Sequence, residues 1–176
     1  SFFQTNTVMA EKLYHEIQQA AHVQKDENVW DLYCGTGSIG LFLAPDAKTV
    51  TGIEIIKDAV HDAVNNAKNN HIDNIEFLHG NLDNLFEKQP ELRNQLPHPD
   101  LLIVDPPRSG LHPKLVDQII DLNPKRIVYV SCNPATQVRD LKLFNETGGY
   151  KIDSVQPVDM FPHTPHIEVV TGLSGK

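Results

Sequence analysis

The chain reads as an α/β protein built on a mostly parallel, doubly wound sheet, and two observations predict this. Short apolar runs alternate with segments of helical spacing along most of its length. Three of those runs then end directly in turns of unusual composition. Asn28-Val29-Trp30-Asp31-Leu32 leads into Gly35-Thr36-Gly37-Ser38-Ile39-Gly40, Leu101-Leu102-Ile103-Val104 into Asp105-Pro106-Pro107-Arg108, and Arg126-Ile127-Val128-Tyr129-Val130 into Ser131-Cys132-Asn133-Pro134. Parallel strands form ligand crevices at their carboxyl ends, so three such turns imply one shared cleft.

Taken in order, Val8, Met9, Leu13, Ile17 and Ala20-Ala21 give helical spacing from Thr5 to about Val23, with Thr5, Asn6 or Thr7 as N-cap. Strands are expected at 28–33, 49–54, 74–79, 100–104, 126–131, 150–157 and 166–172, seven in all. Helices are expected between them at 37–44, 57–69, 112–121 and 134–144, the last opening on Pro134, which suits a first helical turn. No helical segment separates the last two strands. They are therefore expected to form an antiparallel pair joined by the loop from Pro157 to Pro165. Gln89 to Pro99 reads as a polar connection, and no repeat or internal linker interrupts the chain.

The 176 residues fit a single domain, 1–176, and a monomer is expected. Two cysteines, Cys34 and Cys132, both fall at predicted strand ends and are expected as free thiols in a reducing, cytoplasmic setting. No apolar stretch approaches the ~20 residues of a membrane helix, and the amino terminus lacks the build of a secretory signal. A formal net charge of -8 argues against a broad nucleic-acid surface, because phosphate affinity comes from Lys and Arg. No DNA partner is expected, and any RNA contact must be local, near Arg108, Lys114 and Arg139.

The turn at Gly35, Gly37 and Gly40 satisfies G-x-G-x-x-G, with Glu54 following at the end of the next strand, where a ribose-binding carboxylate sits. The glycines serve either a ligand approaching the backbone or only a tight strand-to-helix turn. Asp31 bears on the choice of ligand. A carboxylate beside the turn is unfavourable to pyrophosphate and tolerates a sulfonium and an amino group, which favours S-adenosylmethionine over a nicotinamide dinucleotide.

Cys132 is either a small buried hydrophobe or a nucleophile whose thiolate is favoured by the amino end of the next helix. Asp105 is either a turn former or a carboxylate held at the cleft by two successive prolines. Glu168 breaks the apolar strand Ile167 to Val170. In a central strand its carboxylate must face a cleft, be paired or be protonated, each compatible with proton transfer; at an edge it faces water. His163, His166 and Glu168 do not have the spacing of a metal site, and no metal is expected.

These residues together resemble the RNA uracil-5-methyltransferases, which make 5-methyluridine in ribosomal or transfer RNA. The resemblance runs through Ser1-Phe2-Phe3-Gln4-Thr5-Asn6, Asp31-Leu32-Tyr33-Cys34-Gly35-Thr36-Gly37, Asp105-Pro106-Pro107-Arg108-Ser109-Gly110-Leu111, Ser131-Cys132-Asn133-Pro134-Ala135-Thr136, and Asp159-Met160-Phe161-Pro162-His163-Thr164-Pro165-His166-Ile167-Glu168. It implies a Rossmann-like S-adenosylmethionine-dependent methyltransferase fold with a C-terminal antiparallel strand. It also implies Cys132 as nucleophile, Glu168 as general base, and Gln4, Tyr33, Gly35, Gly37, Ser38, Glu54, Asn81 and Asp105 as the donor pocket, with Asp105 also close to the target base. Asn81 stands where methyltransferases generally carry an acid, and an amide still hydrogen-bonds adenine.

The implied reaction is methylation of C5 of a uridine in ribosomal or transfer RNA, ribosomal RNA being the preferred expectation, through a covalent adduct between Cys132 and C6. The uridine is expected to be extruded from folded RNA. Family members usually carry RNA-recognition regions ahead of this domain, including a small β-barrel and sometimes an iron-sulfur cluster, so the chain reads as an excised catalytic domain. Two other classes remain. A base amino-methyltransferase also uses Asp-Pro-Pro, followed by an aromatic residue where this chain has Arg108, and a noncatalytic nucleotide-binding module would use the glycine turn alone.

Overall fold

The computed structural model describes residues 7–82, 95–160, 164 and 166–175. Helix α1 (Thr7–Ala21) precedes β1 (Asn28–Leu32), α2 (Ser38–Leu43), a single 3-10 turn (Ala44–Asp46) and β2 (Thr49–Glu54). Then follow α3 (Lys57–Asn69), β3 (Ile75–His79), β4 (Leu101–Val104), α4 (Pro113–Leu122), β5 (Arg126–Ser131), α5 (Pro134–Glu146), β6 (Lys151–Val158) and β7 (Glu168–Ser174). The expected seven strands and five helices are present, with bounds moved by one or two residues. Gln4 and His163 lie outside the described residues, as does most of the polar connection at 89–94.

The strands form one sheet in the order β3-β2-β1-β4-β5-β7-β6. β1 pairs in parallel with β2 and β4, and parallel pairing continues to β3 on one side and β5 on the other. The chain thus winds outward from β1, returns to β4 and winds the opposite way. The switch point lies between β1 and β4, where the carboxyl ends diverge and open a crevice. β7 runs antiparallel to both β5 and β6.

Alternation along each central strand divides the core into two layers. Trp30, Leu32, Leu102, Val104, Ile127 and Tyr129 join α4 and α5 on one face. Val29, Leu101, Ile103, Val128 and Val130 join α1 and α2 on the other. All four side chains of β4 are 0% exposed, each worth roughly 1.5–3 kcal/mol of burial. Helix α1 contributes Ala10, Leu13, Ile17 and Ala21, one stripe at helical spacing. Arg126 pins the lower end of β5 by gripping both Glu27 carboxylate oxygens, at 3.0 and 2.6 Å, and donating to the Ala21 carbonyl at 3.2 Å.

β7 has a neighbour on each side, so the edge reading of Glu168 does not hold. The edge is β6, whose residues 151–157 are exposed.

Candidate active site

The glycine turn caps the end of β1 in a left-handed path, with φ of 61° at Tyr33, 55° at Gly35 and 81° at Gly37. Gly37 is required for packing as well as φ, because a Cβ there would stand 2.6 Å from Phe77 Cζ. Gly35 differs: among the described residues a Cβ there would meet nothing within 4 Å, so the turn is open at that point. Glu54 supports the turn from β2, its Oε2 accepting from Gly35 N at 3.0 Å and its Oε1 from Ile56 N at 2.8 Å. Ser38 is the exposed first residue of α2.

Asp31 lies beneath this turn, 0% exposed, with Oδ2 accepting from Gly40 N at 2.9 Å. Its Oδ1 is buried without a hydrogen-bond partner. Burial, with the nearby Glu54 charge adding and the Gly40 bond opposing, pushes its carboxyl up to about 7. Asp31 therefore fastens the turn to α2 as well as setting the sign of the local potential, a double duty that its position in sequence does not reveal.

A cleft of about 360 Å³ opens over the strand ends, lined among others by Tyr33, Ile55, Asn81, Leu82, Pro107 and Arg139. Tyr33 and Asn81, both named from the sequence, line this one cleft. Ile55 was not predicted. It is 49% exposed, and the available signal was an apolar pair, Ile55-Ile56, directly after the strand that ends on Glu54.

Asp105, Cys132 and Glu168 converge from β4, β5 and β7. Asp105, directly after β4, is exposed yet hemmed in by protein, and that crowding, with the Glu168 and Asp31 charges, pushes its carboxyl up to about 7. Because water reaches its side chain, solvent screens part of this effect. Glu168 is half-buried and raised by burial, with Arg108 opposing. Cys132 is half-buried and free.

The helix end after Cys132 is built as predicted, with Asn133 Oδ1 accepting from Ala135 N at 3.2 Å and Pro134 in the first turn. It does not by itself leave a thiolate. The thiol is raised by burial and by the Glu168 and Asp105 charges, while a hydrogen bond and the charge of Arg108 pull it down. Two carboxylates in a partly desolvated site outweigh the one cation. Arg108, named from sequence only as a basic residue near the cleft, is thus the counterweight; its place in Asp-Pro-Pro-Arg was the available signal.

The loop after β4 is strapped to α5. Asp140, 0% exposed, accepts from Leu111 N and Tyr129 Oη, while Arg139 Nη2 donates to the Ser109 and Leu111 carbonyls, both at 3.1 Å. Among the described residues no group of three His, Cys, Asp or Glu gathers to hold a metal, and no helix is long and apolar enough to cross a membrane. An open glycine turn, an unpartnered buried carboxylate oxygen and an acidic strand end together fit a cationic nucleoside ligand better than a pyrophosphate.

The chain is similar to known proteins along almost its whole length. Residues 1–175 match the family model described as tRNA (Uracil-5-)-methyltransferase. The chain is 48% identical over 176 residues to an uncharacterized RNA methyltransferase of Clostridium tetani, covering 100% of this chain and 37% of that protein. It is 51% identical over 174 residues to another from Enterococcus faecalis, covering 99% and 37%. It therefore spans 37% of the length of these curated relatives. Among solved structures, the Pyrococcus abyssi tRNA (uracil-54, C5)-methyltransferase in complex with S-adenosyl-L-homocysteine superposes with a TM-score of 0.82 at 38% identity, covering 98% of this chain and 40% of that one. TrmN from Thermus thermophilus, at 19% identity and a TM-score of 0.70, shares the fold. A match running from the glycine turn through both prolines and the Cys132 turn to the Glu168 strand places this chain in the tRNA (uracil-5-)-methyltransferase family.

Proposed function

We propose that this chain is the catalytic domain of an S-adenosylmethionine-dependent enzyme that methylates C5 of a uridine in RNA through a covalent adduct on Cys132. The observation that carries the reading is the convergence of Cys132, Glu168 and Arg108 beside Asp105, one strand away from the glycine turn. Ribosomal RNA is the proposed substrate class. Transfer RNA is the second reading, favoured by what the Pyrococcus abyssi neighbour acts on.

The donor side is assigned to Gly35, Gly37 and Ser38 at the turn, Glu54 for the ribose hydroxyls, Tyr33 and Asn81 at the cleft wall, Asp105 at the reacting end, and Gln4. When bound, S-adenosylmethionine supplies an electrophilic methyl carbon on a positively charged sulfur. The Asp31 and Asp105 carboxylates attract that charge, and the cation in turn favours their ionised forms.

On the RNA side, Cys132 must first lose its proton to solvent, and Arg108 stabilises the resulting thiolate. The Cys132 sulfur adds to C6 of the uracil, forming the Sγ–C6 bond and moving the ring electrons to O4 as an enolate. C5, now a carbon nucleophile, would bond to the methyl carbon as the bond from that carbon to the donor sulfur breaks, with S-adenosylhomocysteine as the leaving group and the O4 carbonyl restored. Glu168 removes the C5 proton, the Sγ–C6 bond breaks, and the C5–C6 double bond returns with Cys132 released as thiolate. An amino-methyltransferase would leave Cys132 and Glu168 without a task, and an Arg108 in place of the stacking aromatic disfavours it.

The test uses the longer protein that contains this chain, with Cys132→Ala, assayed for 5-methyluridine on ribosomal and transfer RNA. The wild type is expected to form the product on one of them, and the variant to form none while binding S-adenosylhomocysteine within about threefold of wild type, less than 1 kcal/mol. Equal turnover by the variant would sink the thiol mechanism.

A further inference from the structure

Arg108 is held at both ends by the segments that carry the two reacting groups. Its carbonyl accepts from Asn133 Nδ2 at 2.9 Å and from Thr136 Oγ1 at 3.2 Å, and Asn133 directly follows Cys132. At the other end its Nη2 lies 2.6 Å from Nδ1 of His166, two residues before Glu168 and 58 residues away in sequence. A guanidinium offers donors only, so Nδ1 is the acceptor and the neutral ring carries its proton on Nε2. The ring's own backbone is fixed locally, His166 N donating to Thr164 Oγ1 at 3.2 Å.

The contact is costly to do without. Arg108 is exposed, and a long side chain in water loses rotamer freedom whenever it is kept in one place. Its backbone anchors do not restrain the head. The head is held by its hydrogen bond with Cys132 and by the imidazole, which belongs to the segment that leads into Glu168.

We propose that His166 is a positioning residue for the methylation reaction: it accepts from Arg108 and thereby keeps one guanidinium beside both the Cys132 sulfur and the Glu168 carboxylate. This rests on the reading of Cys132 as nucleophile. His166 touches neither reacting atom and acts through Arg108. Its effect is felt where the Cys132 proton leaves, since Arg108 is, among the described residues, the cation that offsets Glu168 and Asp105 at that sulfur. Shortening the side chain to asparagine keeps an acceptor near the Nδ1 position, whereas leucine removes it.

The test measures, in the longer protein, the pH dependence of iodoacetamide alkylation at Cys132, resolved by peptide mass spectrometry, with buried Cys34 as internal control. For His166→Leu the midpoint is expected to move to higher pH, slowing alkylation about three- to tenfold at a fixed pH below it. For His166→Asn the rate is expected within about twofold of wild type, and both variants are expected to bind S-adenosylhomocysteine normally. Methylation by His166→Leu is expected to fall in kcat with little change in KM for RNA. An unchanged midpoint in His166→Leu would overturn the proposal, as would equal impairment in the two variants, which would mark a packing role. An active Cys132→Ala enzyme would overturn this inference together with the thiol mechanism. A flat alkylation series beside an inactive Cys132→Ala would overturn this inference alone.

Discussion

The Asp140 carboxylate receives the Leu111 amide at 2.8 Å, joining α5 to the loop after β4 across 29 residues of sequence. The same oxygen takes the Tyr129 hydroxyl at 2.7 Å, and Oδ1 takes Arg139 Nε at 2.8 Å. One buried group thus fixes the loop that carries Asp105 and Arg108 against the helix that follows Cys132. Gly110 makes this possible: at φ 76° its missing Cβ would otherwise lie 2.6 Å from Asp140 Oδ2.

Asp140→Ala is expected to destabilise the fold by roughly 3–5 kcal/mol, because it strands the Leu111 amide and the Tyr129 hydroxyl and removes the charge partner of Arg139. Tyr129→Phe removes one bond to a charged group and is expected to cost about 1.5–3 kcal/mol. Urea unfolding checks both. A loss below about 1 kcal/mol for Asp140→Ala, the range of an exposed ion pair, would show that the strap does not hold the loop.

Glu168→Gln keeps the side chain's size and removes its basicity. If Glu168 takes the C5 proton, the adduct between Cys132 and the methylated uracil forms but cannot break down. A protein–RNA species resistant to denaturing electrophoresis is expected with this variant and absent from a Cys132→Ala, Glu168→Gln double variant. Normal turnover without such a species would remove Glu168 from the role of base.

Asp31 makes stability depend on pH. Its carboxyl is held at about 7 in the fold, chiefly by burial, against an ordinary value of 3.8. The folded state therefore prefers the protonated form, so this contribution is full below about pH 4 and is lost as pH rises towards 7. The whole loss is on the order of 4 kcal/mol. Asp31→Asn, which keeps an acceptor for Gly40 N, is expected to flatten this limb. Parallel denaturation of both proteins at pH 4.5 and 8 checks it, and identical slopes would discount Asp31. Since a cationic donor favours the ionised forms of Asp31 and Asp105, its binding near pH 6.5 is also expected to release protons, seen as a buffer-dependent heat in calorimetry.

Two glycines of one turn are expected to fail differently. Gly37→Ala places a Cβ against the Phe77 ring at a left-handed φ, which is expected to cost roughly 1–3 kcal/mol of stability. Gly35→Ala meets no protein atom and is expected to cost about 1 kcal/mol through its backbone conformation alone, yet its methyl group enters the open side of the turn. Thermal unfolding and S-adenosylhomocysteine titration separate the two. Equal loss of binding at equal loss of stability would mean that the ligand does not approach Gly35.

By itself the sequence determined the alternation of strands and helices, the antiparallel return of β7, and the three turns at strand ends, because each is written in local periodicity and in Gly and Pro positions. It also marked Cys132, Asp105, Glu54 and Glu168, whose residue types stand out from the apolar runs around them. The tertiary structure alone decided which of these groups face one another. Nothing local to Arg108 announces His166, nothing local to Asp140 announces Leu111, and the upward shift of Cys132 follows from burial first and then from the carboxylates of Glu168 on β7 and Asp105 at the end of β4. Periodicity is a property of neighbouring residues, whereas charge, hydrogen bonding and exclusion of water depend on what the folded sheet brings to the same few ångströms.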